Sequence, residues 1–267
     1  MSVYRPRQAS GFTLIEMVIT IVIVGILGVG IANFIGRSVQ GMADTAERQQ
    51  LATIGWVVSE KISRELRNAL PNSIRTHVAG TCLEFVPTVA GSDYLTVPTL
   101  TAASSFEAVP FPDYAAADVN TAQDRIAVYP NTVSGLYSLP NPGMISGKLS
   151  QLSAGTTVNA ITVELAASHR FLTDSPTRRF YVVQDPVMYC FSSGTLFRYN
   201  AYGFSTTPLT AGVSNQTVIG NRISSGTFAY SPSTLSRSGI VTISFRVQGD
   251  NGATQAVDQE VQIRNVP

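Results

Sequence analysis

Charge is scarce in this chain. Asp, Glu, Lys and Arg make up 13% of its 267 residues and the formal net charge is +1, against roughly a quarter charged residues in ordinary soluble domains. There is no basic field for nucleic acid and no acidic one for basic ligands, so no nucleic-acid partner is expected. Histidine is as sparse. His77 and His169 have no sequence neighbours that would complete a nucleophile, a ligand set or a charge pair, and both are expected at the surface or at caps. No phosphate loop, metal motif or GxSxG elbow is present. The chain is therefore expected to be neither an enzyme nor a cofactor binder, with no catalytic and no metal residues. Cys82 and Cys190 lie too far apart for metal or redox spacing. From Thr76 to Asp124 there is no Lys or Arg, while Glu84, Asp93, Glu107, Asp113, Asp118 and Asp124 fall in that stretch. It reads as a solvated loop surface rather than a cation site.

The chain is rich instead in one long apolar run. No charged residue occurs from Met17 to Gly36, and a helix from Phe12 to Ile35 would rise roughly 36 Å, enough to cross a hydrocarbon core of about 30 Å. Arg5 and Arg7 precede it with no acid nearby, which keeps that end in the cytoplasm and puts the body of the chain across the inner membrane. A secretory signal peptide has a similar start, but this run is too long for a signal core and no good small-x-small site follows it. A plain signal anchor explains the run but not Glu16. A carboxylate at the entrance of an apolar helix costs a few kcal/mol without a partner, less near the interface. If the segment up to Gly11 were removed, Phe12 would carry a new α-ammonium and Glu16 would be fifth in the mature chain. That ammonium, its own or a neighbouring subunit's, would be a partner.

The run Gly11-Phe12-Thr13-Leu14-Ile15-Glu16, behind its basic leader, resembles the cleavage and methylation motif of type IV prepilins. The resemblance implies cutting between Gly11 and Phe12 by a prepilin peptidase, N-methylation of Phe12, and a filament-assembly role for Glu16. The partners it implies are the peptidase/methylase, other major and minor pilins, the inner-membrane assembly platform and the lipid bilayer.

Gly28, Ala32 and Gly36 recur every fourth residue and share one helix face, which suits close packing against another helix. Small residues are also simply common in membrane helices. Gly25 to Gly41 is glycine-rich enough that partial unwinding on assembly is expected. Further on, Leu51, Ile54, Val58, Ile62, Leu66 and Leu70 form a core-facing stripe, with Glu60–Arg64 and Lys61–Glu65 as helix neighbours and Pro71 as the stop. One helix is expected from Phe12 to about Leu70.

After Pro71 we expect strands at Cys82–Val86, Arg125–Tyr129, Ala160–Leu165, Arg179–Gln184, Val187–Phe191, Thr195–Tyr199 and Thr227–Tyr230. The clearest is Ile240–Gln248, which alternates with period two; Asp250-Asn251-Gly252 turns it into Ala256–Arg264. That cluster lacks the ligand spacing of a calcium loop. Thr88–Asp124 and Asn131–Asn159 read as long loops or short irregular strands. The expected fold is α+β: a long N-terminal helix packed on an antiparallel β-sheet head, divided into a leader (1–11), a membrane and filament-core helix (12–36), an amphipathic stem (37–70) and a head (71–267). In an oxidising periplasm Cys82 and Cys190 are expected to pair; two free thiols are the alternative.

Several blocks carry a narrower resemblance: Ala46–Leu51, Ser63–Ser73, Cys82–Pro87, Tyr189-Cys190 with Arg198-Tyr199, and Ile263–Pro267. They are similar to the MshO minor pilin-like family of mannose-sensitive haemagglutinin (MSHA) pilus biogenesis. That implies a minor subunit acting in pilus initiation or at the tip. A minor pseudopilin of a type II secretion system, a tip-displayed adhesin and a membrane-anchored enzyme are the other classes.

Overall fold

The computed structural model describes residues 11–77, 79–208, 215–233 and 237–263. Residues 1–10 of the expected leader, with Arg5 and Arg7, and residues 264–267 lie outside the described residues. The layout is α+β and pilin-like, with a long apolar N-terminal helix followed by antiparallel sheets. The chain divides into two compact units, Met1–Gln50 and Leu51–Pro267.

Helix α1 spans Leu14–Arg67. No proline interrupts it, and in lipid its Val, Ile and Gly content is tolerated because a helix satisfies every backbone group internally. In the first unit, residues 11–43 are all exposed. The helix is long and apolar enough to cross a membrane.

In the second unit, the helix residues from Leu51 onward bury Leu51, Gly55, Val58, Ser59, Ile62, Ser63 and Leu66, the spacing of one helix face. Ile54 packs partly against the same core. Two tight bonds, Asn68 N to Glu65 O and Ala69 N to Leu66 O, end the helix ahead of Pro71, so it stops at Arg67 rather than Leu70. Glu60 and Arg64 pair at 2.7 Å. Glu65 instead reaches Arg198 at 3.0 Å, a longer-range partner that helix spacing with Lys61 does not reveal.

Strands β1 (Arg75–His77) and β2 (Cys82–Phe85) follow. Six strands come next: β3 (Thr88–Asp93), β4 (Ala103–Ala108), β5 (Arg125–Val128), β6 (Ile145–Ala154), β7 (Ile161–His169) and β8 (Arg179–Val183). The chain ends in β9 (Val187–Ser192), β10 (Thr195–Tyr199), β11 (Gln216–Gly220), β12 (Ile223–Ser231), β13 (Gly239–Gln248) and β14 (Thr254–Ile263). Instead of the single sheet expected, they form three, ordered β1-β2-β9-β10-β11, β12-β13-β14 and β3-β8-β5-β6-β7-β4.

Strands β3 to β8 are an insertion, because β2 and β9, which bracket them in sequence, pair directly. Their sheet curls toward closure: Val109 N–H donates to Asp93 O (2.8 Å) and Leu95 N–H to Glu107 O (2.9 Å), joining the end of β3 to β4. The interior holds its own core, including Tyr94, Phe106, Phe111, Phe171 and Phe180. The other two sheets share a separate core with α1, including Leu51, Val58, Ile62, Phe85, Tyr189, Val241 and Phe245. Leu70, Val86, Tyr137 and Val183 belong to a third cluster.

The two segments expected to be long loops or short irregular strands contain the six-residue β3 and β4 and the ten-residue β6. Their side chains are mostly small and polar, so pairing rather than hydrophobic alternation defines them. The acidic stretch is also not uniformly solvated: Glu84 is 1% exposed and Asp124 0%. Asp124 accepts from Tyr114 Oη (2.6 Å), Asn120 N (2.7 Å) and Gln184 Nε2 (2.9 Å). At the tip of the β13–β14 hairpin, Gly252 takes φ +84°, the left-handed conformation for which glycine is suited.

Candidate processing and assembly site

Gly11, Phe12 and Thr13 precede the first helical residue and are exposed, Phe12 to 80%. The Gly11–Phe12 peptide bond therefore sits in non-helical, accessible chain, the form in which a peptidase can engage it. Thr13 closes the helix start. Its Oγ1 accepts from Glu16 N–H at 3.3 Å and its carbonyl from Met17 N–H at 3.2 Å. Thr-x-x-Glu is the sequence form of a capping box, in which a hydroxyl three residues upstream satisfies an orphan amide. Glu16 lies in the first turn, where the helix dipole favours a negative charge. Thr13 is the residue the sequence reading missed, although the four-residue signal was there.

Gly28, Ala32 and Gly36 are all exposed. A Cβ built on Gly28 or Gly36 meets nothing within 4 Å, so no contact in the described chain demands glycine there.

Cys82 and Cys190 are bonded and are direct partners across β2 and β9, with Cα atoms 4.2 Å apart. The bond lies three residue pairs along the β2–β9 ladder from Phe85 and Val187, the pair at which the insertion leaves and rejoins the rest of the head. Beside it, His77 is the partner of Cys82 in the β1–β2 ladder. Glu84 accepts from Arg75 Nε at 2.7 Å and Tyr202 Oη at 2.9 Å. Arg75 also donates to Ser205 O and Thr206 O and lies 3.6 Å over the Tyr137 ring. Burial raises the Tyr137 and Tyr202 hydroxyls far above the usual phenol range. The cluster ties β1 and β2 to the 202–206 segment and offers no free nucleophile.

Neither histidine is a surface residue. His169 is buried, with Nε2 3.2 Å from Gly143 O and its ring against Phe171. The ring nitrogens of His77 are buried without a hydrogen-bond partner, Nε2 lying 4.0 Å from Glu84 Oε2. Desolvation lowers both imidazole pKa values. Among the described residues no group of three or more His, Cys, Asp or Glu is placed to hold a metal.

Residues 6–32 match the prokaryotic N-terminal methylation motif. No curated protein and no solved structure matches the chain. The motif supports a type IV pilin or pseudopilin, and with it prepilin peptidase processing and assembly with other pilin-like chains. The apolar helix that begins within the motif is consistent with a membrane anchor.

Proposed function

We propose that this protein is a minor type IV pilin-like subunit acting in initiation or tip assembly of an MSHA-type pilus. It is cut after Gly11, methylated at Phe12 and held in the inner membrane by residues 12–36 until assembly. Residues 37–70 form the stem, and 71–267 a periplasmic head. The observation that carries this reading is the methylation motif over residues 6–32, continuous with a capped helix whose apolar residues up to Met42 are exposed among the described residues.

Within that reading, Glu16 pairs with the α-ammonium of a neighbouring subunit and fixes their axial offset. The face of Gly28, Ala32 and Gly36 admits a neighbouring helix. The MSHA assignment rests on the sequence blocks named above, and a type II secretion pseudopilin carries the same N-terminal motif.

N-terminal mass spectrometry of the membrane-extracted protein tests the processing step. The expected species starts at N-methyl-Phe12; a chain still carrying Met1 or Ser2 in peptidase-competent cells refutes it. Genetic neighbourhood separates pilus from secretion system, since pilus motor and sibling pilin genes should flank this one.

A further inference from the structure

The edge of β3 is open over a short run. At one end Thr88 N–H donates to Asn68 O (2.8 Å); at the other, Asp93 O accepts from Val109 N–H (2.8 Å). Tyr94 N–H points the opposite way, to Arg178 O (2.8 Å). Alternation along the strand therefore turns the Gly91 backbone to the same side as Asp93, away from β8. Val89 is the extra residue of a bulge, since Thr88 pairs with Val183 and Ala90 with Val182. β3 is terminal in its sheet, so among the described residues no strand lies beside it between the two anchors.

That run lines a groove of about 880 Å³ with Arg67, Asn68, Pro71, Arg179 and Tyr181. Arg67 and Asn68 also line a second groove, about 670 Å³, that reaches Glu260–Gln262 on β14, itself a terminal strand.

We infer that the β3 groove takes an extended segment of another pilin-like subunit, which adds to β3 as a short strand and sets a carboxylate against Arg67 and Arg179. The identity of the partner rests on the filament-subunit reading above; the site rests on geometry. Unpaired strand backbone is recognised by extended chain. Natural edges are commonly blocked by Lys or Pro, and Thr88–Asp93 contains neither, with Ala90, Gly91 and Ser92 adding little bulk. The opening is about four residues, roughly 13 Å, which suits a tail or loop segment and not the edge of a whole sheet. Among the described residues neither Arg67 nor Arg179 forms an ion pair, and Asp93 is the only acid in the lining. The cationic excess selects an acidic occupant.

The test places a photo-crosslinking amino acid at Val89 in the full chain, in its own cells, and maps adducts by mass spectrometry in both membranes and sheared filaments. The expected adduct is an acid-containing segment of a different chain with an N-terminal methylation motif. It should fall at least about fivefold with Gly91→Pro, which removes the outward N–H on an edge that tolerates proline, and with Arg67→Glu. Intact disulfide and unchanged melting check the fold of each variant, and Arg67→Glu at an exposed site decides the matter if Gly91→Pro fails to fold.

Absence of an adduct while the chain is present in filaments overturns this inference and leaves the assembly reading standing. Absence of both overturns the two together. An adduct to residues 264–267 of the same chain, to a second copy, or to a protein without the motif overturns the proposed occupant. An adduct indifferent to both substitutions overturns strand addition.

Discussion

Thr13 changes what Glu16 has to explain. With its amide capped by Thr13 and its charge in the first helical turn, the residue has a use within a single chain, apart from the pairing proposed between chains. Glutamine also serves at the third position of a capping box, so Glu16→Gln separates the two. If inter-subunit pairing is the role, Glu16→Gln and Glu16→Val should both insert and be cleaved normally yet enter filaments several-fold less. Normal entry of the glutamine variant, measured by filament immunoblot, would assign the side chain to capping. Other residues fix the response to acid. Burial depresses the pKa of His77 and His169, so the folded head takes up fewer protons than the unfolded chain near neutrality. The stability this gives is present above the ordinary imidazole value and lost as pH falls below it. The melting temperature should drop between pH 7 and 5, and less so in His77→Gln. Glu107 acts lower. Hydrogen bonds from Thr156 and Thr157 hold its carboxyl at about 2 against 4.5, so its clamp on the Thr156–Thr157 turn is present above 4.5 and released between 4.5 and about 2. Amide-exchange protection at Thr156 and Thr157, taken relative to the intrinsic rate at each pH, should be kept at pH 5 and fall only below 4.5.

At the scale of elements, the disulfide and the helix contact each carry a measurable share of stability. Cys82 and Cys190 are separated by 108 residues, and closing so long a loop stabilises by about 3–5 kcal/mol in the chain-entropy model. Replacing both by alanine should lower the melting temperature of the head accordingly. Helix α1 also needs a residue without a side chain where it meets β14: a Cβ on Gly55 would stand 2.6 Å from Val257 Cγ2. Gly55→Val overpacks this contact and should cost about 1–3 kcal/mol by chemical denaturation. Gly28→Ala should leave the head unaffected, because nothing in the described chain stands near that position.

On the scale of the molecule, the head carries two sets of sheets with separate cores. A helical filament repeats every contact along its shaft, so a subunit with a whole inserted sheet is harder to place there than at a tip, where neighbours lie on one side only. Quantitative mass spectrometry of sheared filaments should find this chain far below the major pilin. Its deletion should sharply reduce filament number, and low-level expression should restore it. Near-stoichiometric amounts would overturn the minor-subunit reading.

The anchor motif, the long helix, its buried stripe and the β13–β14 hairpin were all legible in sequence, because each is written in neighbouring residues with period 3.6 or 2. Gly11-Phe12 and Glu16 belong to this local class, and so did the overlooked cap at Thr13. The insertion was legible only in part: β5, β7 and β8 fall on expected strands, but their grouping into a separate sheet was not written in the sequence. β3, β4 and β6 bury few side chains and exist through their partners, and the pairing of β2 with β9 across the whole insert is set by contacts remote in sequence. For the same reason Glu84, Asp124 and His169 looked solvated in sequence but are buried. A charge or imidazole can be carried inside once partners from distant segments satisfy it, and only the tertiary structure brings Tyr202 to Glu84, Gln184 to Asp124 and Gly143 to His169.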